Sequence, residues 1–355
     1  MLDNLTLSHF RGFREISFPE LKQFTLLSGR NNVGKSSVLE GIFLLVDHVA
    51  GESFVRINSF RGNPYFSNAA VLWEPLFYGM DAKTPIKISS VCKGDKINLV
   101  YNRDESFIPS DPKVPPEALN PFVVVAQSTY TLHFSFQYGK YTEDGHFALS
   151  QNGTYRNIKT SNSGNIIKDN LRAQFINSML SVTDSSVVTW FATMELSDTK
   201  HHVVDALKVI EPDLTDIVSI APNGVMQLYG KVNGKILPLK LSGDGINRLL
   251  YIVLAIIGNP NSIILIDEIE TGFHYSLHGK VWETIAQTAK KNNCQVIATT
   301  HSNECLRGAV EGIKAAKAED DFCYYRIDKT CEQHQTHQFS CDLLAQALSS
   351  DMEVR

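Results

Sequence analysis

The sequence predicts an α/β fold: a helix-covered sheet assembled from both ends of the chain, with a strand-rich and partly helical lobe inserted between them. Three observations lead there. Gly29-Arg30-Asn31-Asn32-Val33-Gly34-Lys35-Ser36 lies between an apolar run, Phe24 to Leu27, and an apolar-periodic segment, the strand–loop–helix setting of a phosphate-binding loop. In the last third, apolar helices and short buried strands alternate, as they do in parallel sheets covered by helices. From about Ser53 to Gly164, turn residues are dense and several segments alternate with period two. The expected division is 1–52 and 201–355 for the two parts of the core, with 53–200 as the inserted lobe or lid.

Leu2 to Phe18 alternates like two short strands around Phe10-Arg11-Gly12-Phe13. After the loop, Val38, Leu39, Ile42, Phe43, Leu45, Val46 and Val49 recur at helical spacing and predict a helix packed on the sheet. In Thr129 to Tyr141, Tyr130, Leu132, Phe134, Phe136 and Tyr138 share one strand face, which reads as sheet core rather than a base-stacking platform. Asn170 to Leu180 and His201 to Glu211 read as helices, followed by short strands near Ile217–Ile220, Val225–Tyr229 and Lys235–Leu239. Ile246–Ile257 and Ser276–Lys290 are then helices. Ile263–Ile266, Val296–Ala298 and Phe322–Ile327 are buried strands.

The 355 residues suffice for a full core without staples, and a net charge of −5 gives no global attraction to nucleic acid or anionic membrane. Six cysteines include no C-x-x-C pair, which fits a reduced compartment. Cys331, His334, His337 and Cys341 offer metal-ligand chemistry, but all four come from one continuous stretch, so a solvated polar segment is the simpler reading. The N-terminus has no basic segment ahead of an apolar core, and the longest apolar run, Leu249 to Ile257, is half a membrane span. A cytoplasmic protein without membrane partners is expected.

The chemistry concentrates in four places. In the first loop, glycines let successive N–H groups turn inward on a phosphate, Lys35 adds a point charge, and Ser36 offers a hydroxyl to Mg²⁺. Asp267 and Glu268 end an apolar strand, the Asp placed to hold Mg²⁺ and the Glu to polarise an attacking water. His301 follows the next strand and can reach a γ-phosphate. Leu241-Ser242-Gly243-Asp244-Gly245 opens a helix ahead of the acidic strand, and a serine with two glycines at a helix N-terminus makes a second anion site. Taken alone, the last three have plainer readings: an ordinary acidic strand end, a structural histidine, and a helix cap with a permissive turn. Their common order favours function.

In that order the chain resembles the soluble branch of the ABC-class ATPases, the SMC-like repair proteins, RecF and the OLD-like ATPases of anti-phage systems. The matching parts are the F-R-G-F start, Walker A at Gly29–Ser36, a signature at Leu241–Gly245, Walker B at Ile263–Glu268, a D-loop and a switch His301. The OLD-like group reads D-E-P-E-x-G-L-H-P after Walker B; here Asp267, Glu268, Glu270, Gly272 and His274 are kept, while Ile269, Phe273 and Tyr275 differ. The signature departs from L-S-G-G-Q at Asp244. The resemblance implies an ABC-type P-loop head with a mixed sheet, and a head-to-tail homodimer or higher even oligomer with ATP and Mg²⁺ at the interface. Arg11, Gly29, Asn31, Asn32, Val33, Gly34, Lys35, Ser36 and Ser37 would bind nucleotide from one subunit, and Ser242, Gly243 and Gly245 from the other. Ser36 and Asp267 would hold the metal, and Glu268 and His301 would act in catalysis. A glutamine usually completes such a metal site; Gln127, Gln137 and Gln174 all remain open.

No long coiled coil interrupts the chain, and too little follows His301 for a TOPRIM nuclease domain. In this it resembles PtuA- and AriA-type defence ATPases. The expected function is a slow ATPase subunit controlling a separate nuclease or toxin in anti-phage defence. The alternative is a RecF-like clamp that binds DNA on ATP binding, for which Lys83, Lys87, Lys93, Lys96 and Arg103 form the one suggestive cluster. A third reading is a nucleotide-gated scaffold with negligible turnover.

Overall fold

A six-stranded mixed sheet carries the phosphate loop and brings the two ends of the chain together. A computed structural model describes residues 1–48, 52–61, 73–104, 131–149, 155–163, 171–177, 185–330, 333–350 and 352–355. The chain opens with β1 (Leu5–Phe10), β2 (Phe13–Phe18), β3 (Phe24–Ser28), α1 (Lys35–Val46) and α2 (Glu52–Phe60). Then come β4 (Ile86–Cys92), β5 (Asp95–Asp104), β6 (Thr131–Tyr138), β7 (Tyr141–Leu149), β8 (Tyr155–Ser163) and β9 (Ala173–Ile176). Helices α3 (Ser185–Leu196) and α4 (Lys200–Leu207) lead into β10 (Leu214–Ile220), β11 (Gln227–Val232) and β12 (Lys235–Pro238). The rest alternates: α5 (Asp244–Gly258), β13 (Ile263–Ile266), α6 (His278–Lys291), β14 (Gln295–Thr299), α7 (Asn303–Ala315), β15 (Phe322–Lys329), β16 (His334–Ser340) and α8 (Cys341–Ser349).

The core sheet runs β16-β15-β3-β14-β13-β9, parallel except for the antiparallel edge strand β16. Its central strands β3, β13 and β14 are buried on both faces, so β13 reads as a continuous apolar run rather than an alternating one. Leu27, Ile263, Leu265, Ile297 and Phe175 face α1 and the antiparallel sheet. Leu26, Ile264, Ile266, Val296 and Ala298 face the helices α5, α6 and α7. Removing each of these side chains other than Ala298 from water contributes roughly 1.5–3 kcal/mol.

The second sheet, β2-β1-β4-β5-β6-β7-β8, is antiparallel throughout. Its inner face presents Leu5, Leu7, Ile88, Leu99, Phe134 and Phe136 to α1, so the aromatic stripe of β6 is core. Helix α1 is buried on most sides, including Leu39, Ile42, Phe43, Leu44 and Leu45, as a helix packed between two sheets must be. The segment 53–200 gives strands to both sheets: β4–β8 extend the one begun by β1 and β2, and β9 joins the core. The smaller sheet β10-β11-β12 precedes α5.

One expected element differs. The stretch Asn170 to Leu180 is not a helix where it is described; Ala173–Ile176 is β9, paired in parallel with β13. Ladder bonds to the edge of a fully buried strand, supplied by chain ninety residues away, override the weak local pattern.

Candidate active site

The parallel strands end together, with Leu27 opposite Thr299 and Ile266 opposite both Ala298 and Ile176. Their C-terminal edge is where such sheets bind ligands. Beyond Ser28 the chain turns through Gly29 (φ +144°), Asn32 (φ +64°) and Gly34 (φ +95°) before α1 begins at Lys35. A Cβ on Gly34 would sit 2.5 Å from the Phe13 ring. The buried Phe13 of the F-R-G-F segment is therefore the floor of the phosphate loop. A Cβ on Gly29 would meet the Ile327 carbonyl oxygen at 2.3 Å. Both positions demand glycine for its φ and for its space.

A cavity of about 530 Å³ opens over this loop, lined by Asn31, Asn32, Gly34, Lys35, Ser36, Ser37, Glu40, Arg61, Phe175, Asp267, Glu268 and His301. Lys35 Nζ donates to the carbonyls of Gly29 (2.8 Å) and Arg30 (3.0 Å). Burial lowers its pKa to about 8, against the opposing pull of Asp267, Glu270 and Glu268. Ser36 Oγ donates to Asp267 Oδ1 at 2.9 Å, and Thr299 Oγ1 donates to the same oxygen at 2.6 Å. Glu268 Oε1 lies 3.5 Å from His301 Nε2. Ser36 and Asp267 present oxygen donors alone, the hard set that suits Mg²⁺, so the residues fit that ion.

Other expected residues lie elsewhere. Val33 is buried beneath the loop, where it supports Gly29. Arg11 does not line the cavity: its Nε pairs with Glu40 Oε2 at 2.9 Å, and Nη1 donates to the Pro75 carbonyl. Ser242, Gly243 and Gly245 are also outside the cavity. Ser242 and Gly243 are exposed at the start of α5, and Gly245 packs on the Gly272 carbonyl, where a Cβ would approach to 2.8 Å. Gln137 is bonded to the Gly139 carbonyl on the antiparallel sheet, and Gln174 to Asn259 in mid-strand. Neither lines the cavity, and Gln127 lies outside the described residues.

Residues not foreseen from sequence complete the picture. Glu40, one helical turn after Ser36, is buried and shared between Arg11 and Arg61, whose Nε is 2.6 Å from Glu40 Oε1. Arg61 also donates to Ser37 Oγ at 3.1 Å. The i, i+4 spacing from Ser36 puts Glu40 on the same helix face, a signal available in the sequence; nothing local marks Arg61. Arg248, buried in α5, donates to the backbone carbonyls of Asp267 (2.7 Å) and Asn177, tying the signature helix to the acidic strand and to β9. Burial lowers its pKa to about 10, with Asp267 acting the other way.

Among the described residues no group of three or more His, Cys, Asp or Glu side chains is assembled as a metal site. His334 and His337 are three residues apart on β16 and so face opposite sides. His334 packs edge-on against Phe13, His337 pairs with Asp328, and Cys331 is not described. Lys87 and Lys96 lie on the outer face of the antiparallel sheet. Arg103 has the inward parity of Leu99 and Tyr101, so these cations do not share one face. No helix among the described residues is long and apolar enough to cross a membrane.

Comparison with known proteins agrees with this geometry. The family model AAA_15, AAA ATPase domain, matches residues 151–306. The chain is 23% identical over 332 residues to an "ATP/GTP phosphatase" of Helicobacter pylori, with 86% of each chain covered. It is 36% identical over 58 residues to protein MJECL10 of Methanocaldococcus jannaschii, covering 16% of this chain and 26% of that one. In fold it is similar to an Smc head bound to the C-winged helix domain of ScpA, with TM-score 0.50, 11% identity, and 96% and 97% of the chains covered. It is likewise similar to the Smc head with an extended coiled coil bound to the C-terminal domain of ScpA, derived from Pyrococcus furiosus (TM-score 0.51, 10% identity, 99% of each chain). The fold is that of an ABC-type, SMC-head-like P-loop ATPase. An ATPase domain on that fold supports a role in binding and hydrolysing ATP.

Proposed function

We propose that this protein is an ATPase subunit that closes head-to-tail with a second copy around ATP and, through that change of shape, controls a separately encoded effector protein. The observation that carries the reading is the division of the nucleotide machinery. Lys35, Ser36, Asp267, Glu268 and His301 converge on one cavity, while Ser242 and Gly243 stand exposed outside it at the N-terminus of α5. A helix N-terminus with free N–H groups suits phosphate oxygens, and a symmetric pair of copies offers each cavity the other's α5. Leu241, 79% exposed, adjoins that face.

In the closed state Lys35 and the loop amides hold the phosphates, and His301 faces the terminal one. Glu268 takes a proton from the water whose oxygen attacks the γ-phosphorus as the bond to the β–γ bridging oxygen breaks, leaving ADP and phosphate. Ser36 and Asp267 would hold Mg²⁺, which when bound neutralises phosphate charge. Arg11 acts at one remove, fixing Glu40 and through it Arg61. A nuclease or toxin effector in anti-phage defence is the class supported by the motif-level likeness to OLD-, PtuA- and AriA-type ATPases; that support is one of analogy.

The test is mass by light scattering without nucleotide, with ATP, and with ATP plus Glu268→Gln, alongside phosphate release. The expected outcome is an even-numbered assembly favoured by ATP and trapped by Glu268→Gln without turnover. A mass indifferent to ATP, with normal hydrolysis by the variant, overturns the reading.

A further inference from the structure

The acidic strand and its neighbour β14 do not part where their ladder ends. Past Ile266 and Ala298, Glu268 N–H donates to Thr299 Oγ1 at 2.8 Å and Ile269 N–H to the Thr299 carbonyl at 3.0 Å. The fully buried Thr299 hydroxyl in turn donates a hydrogen bond to Asp267 Oδ1 at 2.6 Å. One residue further, the pairing is completed by a side chain: Glu270 Oε1 accepts the His301 backbone N–H at 2.6 Å. On its other flank β14 makes its last bond to β3 from Thr300 N–H to the Leu27 carbonyl. The backbone of His301 is therefore tied to the acidic segment through Glu270.

We propose that Glu270, with Thr299, is a positioning residue of the active site: its carboxylate fixes the His301 backbone so that the imidazole meets Glu268 at the end of the phosphate chain. This rests on the reading of Glu268 and His301 as catalytic groups. The physical basis is that a short hydrogen bond from an amide to a carboxylate is charge-assisted and directional. Preorganisation of reacting groups matters steeply, a displacement near 1 Å costing on the order of 100-fold in rate. Glu268 sits at φ +50°, a conformation that persists only when neighbours hold it. Thr299 supplies that hold on one side of the site, and Glu270 supplies the matching hold on the other.

The experiment compares Glu270→Ala, Glu270→Gln, Thr299→Val, Thr299→Ser, His301→Ala and the Glu270→Ala/His301→Ala double variant in the full chain. Phosphate release gives kcat and KM, calorimetry gives ADP affinity, and thermal melting reports folding. Glu270→Ala and Thr299→Val should lower kcat by about 10- to 100-fold, with ADP affinity within about twofold of the parent. Glu270→Gln and Thr299→Ser, which keep an acceptor and a hydroxyl in place, should recover most of that loss. The double variant should be no slower than His301→Ala, because Glu270 acts through His301. Glu270→Ala with kcat within twofold of the parent, while His301→Ala is impaired, overturns the positioning role alone. So does an additive loss in the double variant. A parent that neither binds nor turns over ATP, or an undiminished His301→Ala, removes the underlying reading instead.

Discussion

Lys35 is the residue whose chemistry the fold alters most usefully. Its ammonium is buried beneath the loop and held by two carbonyls, with a pKa lowered to about 8. The phosphates of a bound nucleotide bring negative charge to the same point and favour the ammonium, raising that pKa in the complex. The sign follows by linkage: below pH 8 the free protein already carries the proton, and above it binding must take one up. Nucleotide affinity should therefore be flat from pH 6.5 to 7.5 and fall above about pH 8, by at most about tenfold per pH unit from this one group. Calorimetry in buffers of different ionisation enthalpy should show proton uptake at pH 8.5 and little at pH 7. Lys35→Arg, which stays charged throughout, should abolish the uptake even if it binds weakly. Uptake unchanged in that variant would assign the proton to another group.

At the scale of elements, α6 and α7 meet along a seam of glycines. A Cβ on Gly312 would lie 2.3 Å from the Gly279 carbonyl oxygen and 2.6 Å from Glu283 N, and one on Gly308 would lie 2.4 Å from His278 Cβ. These neighbours are backbone or the root of a side chain, so they cannot turn aside. Gly312→Ala should destabilise the fold by about 1–3 kcal/mol, the usual cost of overpacking. It should show as a lower urea midpoint with unchanged slope, while the folded fraction keeps its ADP affinity. The glycine's role here is not legible in the sequence, because it depends on which two helices pack. The phosphate loop is legible because its requirements are local: two glycines at fixed spacing, a lysine and a serine opening a helix. The Asp267–Glu268 strand end is legible for the same reason. Strand β9 was hidden, since four residues, Ala173–Ile176, become a strand only through pairing with Ile263–Ile266. Arg61 was hidden too, because only the tertiary position of α2 brings it to Glu40.

For the whole molecule, the decisive question is whether one nucleotide uses two copies. If Walker A and signature act on ATP in trans, the two sites of a dimer are built from opposite halves of each subunit. Lys35→Ala removes the cation from one half, and Ser242→Arg places a bulky charge on the other, exposed half. Each variant alone leaves every site defective, so each should be inactive for phosphate release. Mixed in equal amounts, half the dimers would pair one of each. In such a dimer one site receives both lesions, and the other combines an intact loop with an intact α5. Activity should return to about a quarter of the parent's, because half the dimers are mixed and the closed symmetry of a two-fold pair gives each of those one intact site of two. The variants must exchange subunits before assay, and a fluorescence-labelled pair reports that exchange. Exchange without any recovery would mean that Ser242 does not complete the partner's cavity. The exposed Leu241, Ser242 and Gly243 would then be a surface for a different protein, and the head-to-tail closure would have to be abandoned.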